Sequence, residues 1–251
     1  ANTAAVHVFA DNLRHLLMQP PIKGRVTLGV DPGFRTGCKL AVIDESGKVL
    51  KTGIGYFTLP AHEKQAEQAR RMIIQMVEQY GVTAIAIGNG TASRESERFI
   101  AGLLPQLPEG VQYTIVSEAG ASVYSASKLA AEEFPDFDVS LRSAVSIARR
   151  MQDPLAELVK IDPKAIGVGQ YQHELKEAQL TEALDGVVES CVNAVGVEVS
   201  TAAAALLSHV AGIGPALAKN IVTYRDESGI ASRAQLKKVP KLGPKAFEQC
   251  A

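Results

Sequence analysis

Between Val26 and Leu59 three apolar segments follow one another with connections too short to hold a crossover helix. Neighbouring strands joined that way are antiparallel. The segments are Val26 to Asp31, Lys39 to Asp44 and Val49 to Leu59. The first connection carries Pro32-Gly33, and the second, Asp44-Glu-Ser-Gly-Lys48, has hairpin chemistry. Downstream the pattern changes to alternating helix and strand. His62 to Tyr80 has a helical apolar stripe (Ala69, Ile73, Met76, Val77, Tyr80), and Gly81 is its stop signal. Val82 to Ile87 reads as a buried strand, and Gly88-Asn-Gly-Thr91 opens a helix reaching about Leu104. Gln112 to Ser117 is the next strand, followed by helices over Ala121 to Glu133 and Leu141 to Met151.

Three antiparallel strands and then α-β-α-β-α is the element order of a ribonuclease H-like α/β domain with a mixed sheet. It predicts such a domain over residues 25–165. Residues 1–24 read as a flanking helix and linker, with Val6, Phe9, Leu13, Leu16 and Leu17 on one face and Pro20-Pro21 as the stop. Residues 166–200 hold a Gly-rich loop, Gly167 to Glu174, and a connecting helix from about Thr181 to Ala194. After Val195-Gly-Val-Glu-Val199 a small all-helical domain, 201–251, begins. It contains an internal repeat: Leu207, Val210, Ile213, Gly214 and Pro215 recur as Leu236, Val239, Leu242, Gly243 and Pro244. Each copy reads helix, short Gly turn, then a helix with Pro at its first position, where the missing N–H costs nothing. This is a tandem helix-hairpin-helix pattern.

The 251 residues leave room for two cores, and 46% apolar content excludes a disordered chain. No apolar run approaches the ~20 residues that span a bilayer, and no signal peptide is visible, so a cytoplasmic protein with no membrane partner is expected. Cys38, Cys191 and Cys250 are too scattered for a zinc site and read as reduced thiols. The first residue is Ala, and the last helix is cut off at Ala251, which points to a segment of a longer protein. The net charge is −1 overall, but from Ser208 onward seven Lys/Arg face three acids, leaving that tail at +4. Such an asymmetry suits a polyanion-binding end.

Within that tail Gly212-Ile213-Gly214 is the stronger hairpin. Its glycines permit unusual backbone geometry and uncover amides at a helix N-terminus, a ready site for a DNA or RNA phosphate. Ile213 would anchor the turn, and Lys219 and Arg225 could add contacts that release counterions. In the second copy Lys241 replaces the first glycine, beside Gly243 and Lys245; it keeps the shape and gains a charge. The plain alternative is a packing turn between two helices with no ligand.

Asp31 ends the first strand where α/β folds place chemistry, and Glu118 lies one residue past the strand ending at Ser117. Two-metal nuclease chemistry needs three or four converging acids around Mg²⁺ ions ~3.5–4 Å apart. The end of the 82–87 strand reads Gly88-Asn89, and the start of the last domain helix reads Arg142-Ser143. Asp138 and Asp153 flank that helix poorly placed, and Arg142 could pair with one of the two acids instead. No metal or other cofactor is therefore expected, Mg²⁺ entering only if a nuclease used Asp31, Glu118 and a further acid such as Asp153. The structural alternative for Asp31 is an Asx turn onto the amides of Gly33 and Phe34, or a paired vestigial acid. Gly88 to Glu95 lacks the Gly-Lys-Ser/Thr of a P-loop; Thr91 or Ser93 reads as a helix N-cap with Glu95 near a capping-box position. His173 is isolated, and Ser46 has no His/Asp partner at a recognisable spacing.

Five separated motifs together resemble one family: Val30 to Lys39, Gly88-Asn-Gly-Thr91, Ser117 to Ser125, Gly167 to His173 and Ala211-Gly-Ile-Gly-Pro215. That family is bacterial Tex, the transcription accessory proteins. The resemblance implies a YqgF-type domain related to the RuvC resolvase, then tandem helix-hairpin-helix motifs, with N-terminal helical domains and a C-terminal OB-fold RNA-binding domain elsewhere. By position Asp31 matches the first catalytic acid of the active relatives and Glu118 their Asp-Glu-Arg motif, while Asn89 and Arg142-Ser143 depart from the active pattern. It implies a catalytically silent nuclease fold in a transcription factor, with DNA or RNA, and RNA polymerase or a transcription complex, as partners. An ATPase of the actin-like relatives finds no second phosphate motif or adenosine loop here.

Overall fold

The computed structural model describes residues 2–166 and 176–251; the Gly-rich loop with His173 lies outside the described residues. The chain divides into two compact units, Pro20–Glu157 and Ala1–Gln19 with Leu158–Ala251.

The first of these units holds five strands: β1 (Thr27–Asp31), β2 (Cys38–Ile43), β3 (Val49–Gly55), β4 (Ala84–Gly88) and β5 (Gln112–Val116). Their order is β3-β2-β1-β4-β5. β1–β2 and β2–β3 are antiparallel, β1–β4 and β4–β5 parallel, so this is the ribonuclease H-like arrangement. The β2–β3 turn forms as its residues predict. The Asp44 carboxylate accepts from Ser46 N–H (2.9 Å), Ser46 Oγ (2.7 Å) and Lys48 N–H (2.9 Å). Strand periodicity sorts the rest of the core. Leu28, Val30, Ile85 and Ile87 share a cluster with Ile73, Met76 and Val77 of α2 (Glu63–Tyr80) and with Ile100 and Leu103 of α3 (Ser93–Leu103). The opposite face takes α6 (Val139–Gln152), whose Ala144, Ala148 and Ile147 pack on Ala41, Ile43, Ala84 and Ala86. A Cβ at Gly29 would lie 2.3 Å from Ala144 O, so the absent side chain is what lets α6 lie directly on β1. Arg149 fastens this helix by donating to Gly47 O (2.9 Å) and Glu133 (2.9 Å), and Gln152 donates to Asp44 O (2.7 Å). The helix expected over Ala121 to Glu133 is broken into α4 (Ala121–Ser125) and α5 (Lys128–Glu133). Ser127 causes the break, because its hydroxyl accepts from Ala130 N–H (3.2 Å) and caps a new helix. The short α7 (Pro154–Leu158) follows.

In the other unit α1 (Asn2–Leu17) packs on α8 (Glu177–Val195). Phe9, Leu13 and Leu17 are buried, as are Leu184, Val188 and Val192. The helix read as a flanking element therefore belongs to the same compact unit as the C-terminal region, because two apolar stripes far apart in sequence need one another. The tail holds α9 (Ala204–Leu207), α10 (Pro215–Ser228), a 3₁₀ segment over Arg233–Lys238 and α11 (Pro244–Cys250). Leu207, Ile213, Ala218, Ile221, Leu236, Val239 and Leu242 form its core. No helix of the described residues is long and apolar enough to cross a membrane.

Candidate nucleic-acid interface and carboxylate cluster

The two copies of the repeat have nearly the same backbone. Gly212 sits at φ +79°, and Lys241, its counterpart, at φ +67°. Ile213 and Leu242 are buried beneath the turns. Ile213 N–H donates to Val210 O (3.0 Å), and Leu242 N–H to Val239 O (3.2 Å). Gly214 and Gly243 are the N-caps of α10 and α11, both extended (φ −89°, ψ 176° and φ −80°, ψ 174°), and Pro follows each. The first backbone bond into α10 is Ala218 N–H to Gly214 O (2.9 Å), which leaves the amides of Gly214, Ala216 and Leu217 to meet solvent or an anion. A non-glycine residue held at positive φ costs about 1 kcal/mol, so Lys241 is a strained but faithful copy of Gly212.

The two glycines of the first turn do different things. A Cβ at Gly212 would fall 2.8 Å from Gln249 Oε1 and 3.2 Å from Ala246 O, so Gly212 is where the turn abuts α11. A Cβ at Gly214 meets nothing within 4 Å. Lys219, Lys241 and Lys245 are exposed. Arg225, expected as a phosphate contact, is instead spent internally. It donates to Val199 O and Ala202 O and pairs with Asp226 (3.3 Å), which pins the segment before α9. Two further residues escaped sequence reading: Asn193 of α8, which bonds His209 O and Ala211 N–H, and Asn220 of α10, which bonds Pro240 O. Neither has a sequence signal, because each is remote from the turn it touches.

In the sheet unit, alternation from Gly29 puts Asp31 on the α6 face, and the close approach there brings Ser143 beside it. Lys39 is its antiparallel register partner. Glu118 continues the same face past Val116. Burial pushes the Asp31 carboxyl up to about 6, helped by the Glu118 charge and opposed by the Ser143 hydroxyl and Lys39. Because the side chain faces α6, Asp31 does not take the Asx-turn alternative onto the amides of Gly33 and Phe34. The turn is held instead by Thr58 Oγ1 donating to Gly33 O (2.6 Å), Gly37 N–H to Phe34 O (3.4 Å) and Lys39 Nζ to Thr36 O. The Glu118 carboxylate lies over the Gly-rich turn: a Cβ at Gly90 would be 1.6 Å from its Oε1, and one at Gly88 2.5 Å from its Oε2. Asn89 Oδ1 accepts the Glu118 N–H (3.1 Å).

Arg142 does not pair with either acid. It donates to Phe134 O (3.1 Å) and Ser125 O (3.2 Å), holding the segment before α6. The buried cation behind the cluster is Arg150, whose Nη1 grips Ser117 O (2.9 Å) and Ala119 O (2.8 Å), the carbonyls on either side of Glu118. Its position was legible in principle, since 143, 147 and 150 share a helical face, but an arginine on an otherwise apolar stripe reads as solvent-exposed. Asp138 and Asp153 are helix caps, accepting from Leu141 N–H (2.8 Å) and Ala156 N–H (3.2 Å), so Asp153 does not join the cluster. At α3 the N-cap is Ala92, at φ +66° with no side-chain cap, rather than Thr91 or Ser93. Among the described residues no group of three or more His, Cys, Asp or Glu is placed to hold a metal ion.

A family model described as "Tex protein YqgF-like domain" matches residues 25–152, and one described as "Helix-hairpin-helix motif" matches 192–251. "Protein YhgF" of Escherichia coli (strain K12) is 58% identical across the whole of this chain, which covers 32% of that protein. "Transcriptional accessory protein Tex" of Neisseria gonorrhoeae is 56% identical, with 100% of this chain and 33% of that protein covered. The chain thus spans about a third of the length of these bacterial relatives. Among solved structures, one described as "Thermus thermophilus RuvC structure" aligns with 54% of this chain and 95% of its own, at 16% identity and a TM-score of 0.39. From the sheet order, the two hairpins and the two family-model matches, the chain belongs to the Tex family.

Proposed function

We propose that this chain is the nucleic-acid-gripping core of a transcription accessory protein. Its hairpins hold backbone phosphates without reading sequence, and its ribonuclease H-like unit serves as a scaffold rather than a nuclease. The observation that carries the reading is the open first turn of α10, where Gly214 leaves the opening amides uncovered beside exposed Lys219. Helix N-termini of this kind bind anions, and phosphate contacts of this kind position a duplex or strand without specifying its bases. DNA and RNA are both substrates of such a grip. Through the remaining two-thirds of a Tex-length protein the grip serves an RNA polymerase or transcription complex. A labelled duplex and a labelled strand should bind with an affinity that falls steeply as salt rises. Binding indifferent to salt, or none, refutes the reading.

The scaffold role rests on how poorly the carboxylate cluster suits Mg²⁺. Two acids converge, but Lys39 flanks Asp31 and buried Arg150 clamps the backbone around Glu118, while Asn89 supplies an amide at the strand end. Lys39 in register beside Asp31, and Arg150 behind Glu118 and shared with buried Glu157, leave two carboxylates little charge to attract a metal pair, which needs several acids and open coordination positions. With Mg²⁺ or Mn²⁺ added, branched and single-stranded substrates should survive in the presence of this chain as they do with Asp31→Asn. Cleavage that Asp31→Asn abolishes would establish the nuclease reading instead.

A further inference from the structure

Each hairpin turn is tied to a helix outside it by one asparagine. At the first turn the Asn193 carboxamide uses both ends: Nδ2 donates to His209 O (3.1 Å), and Oδ1 accepts from Ala211 N–H (3.0 Å). Nδ2 also donates to Glu189 O within α8 (2.6 Å), which holds the amide plane in place. At the second turn Asn220 Nδ2 donates to Pro240 O (3.0 Å). Pro240 is the counterpart of Ala211, so both asparagines act at the residue that precedes the positive-φ position.

That location matters because the next three residues are Gly212-Ile213-Gly214. Two glycines leave the direction of the turn soft unless the backbone entering it is fixed. In the first copy Asn193 fixes it through two bonds to residues 209 and 211. In the second copy Pro240 has no N–H to offer, but its ring restricts φ, and the one bond from Asn220 completes the constraint. We propose that Asn193 is the positioning residue of the first hairpin. It sets the direction in which the amides of Gly214, Ala216 and Leu217 meet a nucleic-acid phosphate. The inference rests on the phosphate-gripping reading of the hairpins. Asn193 is itself exposed, so truncating it opens no cavity in the core, and thermal melts register what its lost hydrogen bonds cost the fold.

The test measures fluorescence anisotropy of a short labelled DNA duplex against the wild-type chain, Asn193→Ala, Asn220→Ala and Gly214→Asp, across a salt series, with thermal melts of each. Asn193→Ala should bind about tenfold more weakly and lose about one unit of log–log salt slope, equivalent to one phosphate contact. Asn220→Ala should lose no more than about threefold, because the Pro240 ring keeps its turn in register. Hydrogen exchange at the Ala211 amide should quicken in Asn193→Ala. Wild-type affinity and slope in Asn193→Ala would overturn the proposal. So would an affinity loss that keeps the wild-type slope and merely follows a lowered Tm, the mark of a purely structural role. If the wild-type chain binds no duplex and Gly214→Asp changes nothing, the phosphate-gripping reading has failed, and the inference falls with it. If wild-type binds and Gly214→Asp weakens binding while Asn193→Ala does not, the inference alone has failed.

Discussion

Gly214→Asp separates binding from folding at a single residue. Its φ of −89° is open to any L-residue, and nothing lies within 4 Å of the new Cβ, so no strain or clash opposes the change. As N-cap of α10, aspartate is a better residue than glycine by a few tenths of a kcal/mol, and its charge near the helix N-terminus adds about 0.3–1 kcal/mol. The variant should therefore melt at or slightly above the wild-type temperature. The same carboxylate stands where a phosphate would approach the opening amides. Two like charges about 4 Å apart repel by about 1 kcal/mol in water and about 4 kcal/mol near a protein surface. At about 1.4 kcal/mol per decade, affinity for a short duplex should fall between about fivefold and several hundredfold. The salt slope should drop by about one unit. The assay is anisotropy titration at matched salt beside a thermal melt. Unchanged affinity in a folded variant would refute phosphate binding at α10, and a lowered Tm would refute the capping argument.

At the neighbouring glycine the opposite result is expected. Gly212→Ala forces a side chain into positive φ and against Gln249 and Ala246, and should destabilise the helical unit by about 1–3 kcal/mol in urea melts; a neutral change would show that α11 is not seated there. Asp31, whose carboxyl is raised to about 6 in the fold, binds its proton more tightly folded than unfolded, so its contribution to stability is intact below about pH 4 and is lost as pH rises through about 6. Asp31→Asn should accordingly gain up to about 3 kcal/mol over wild type at pH 7.5 and little at pH 4, and a gain independent of pH would overturn this. Arg150→Leu should cost about 3 kcal/mol in the sheet unit, because Ser117 O and Ala119 O lose their donor and the carboxylates of buried Glu157 and of Glu118 lose the neighbouring Arg150 charge; a Tm within a degree of wild type would contradict the clamp.

Most of the frame was legible in sequence because it rests on local physics. Strand and helix periods, the Asp44 turn, the Gly81 stop and the Pro that opens each hairpin helix depend on residues close together in the chain. The order of elements then leaves few topologies, and the 29-residue offset exposes the hairpins without any coordinates. The same locality explains the misreading at Ser127, where a side-chain cap beat a continuous helical pattern by a single hydrogen bond.

What depended on tertiary packing could not be read that way. Sequence offers Arg225 to a phosphate and Arg142 to a carboxylate, but backbone carbonyls brought in from elsewhere in the chain claim both. Lys39 comes beside Asp31 only through sheet register, Arg150 takes the carbonyls around Glu118 only through the seat of α6 on Gly29, and Asn193 reaches its hairpin only through the fold of the helical unit. Sequence determined which elements form, because hydrogen bonding and hydrophobic period act over a few residues. Tertiary structure decided which charges stay free, because a charged group's partner is chosen by distance in space, and distance in space is set by packing.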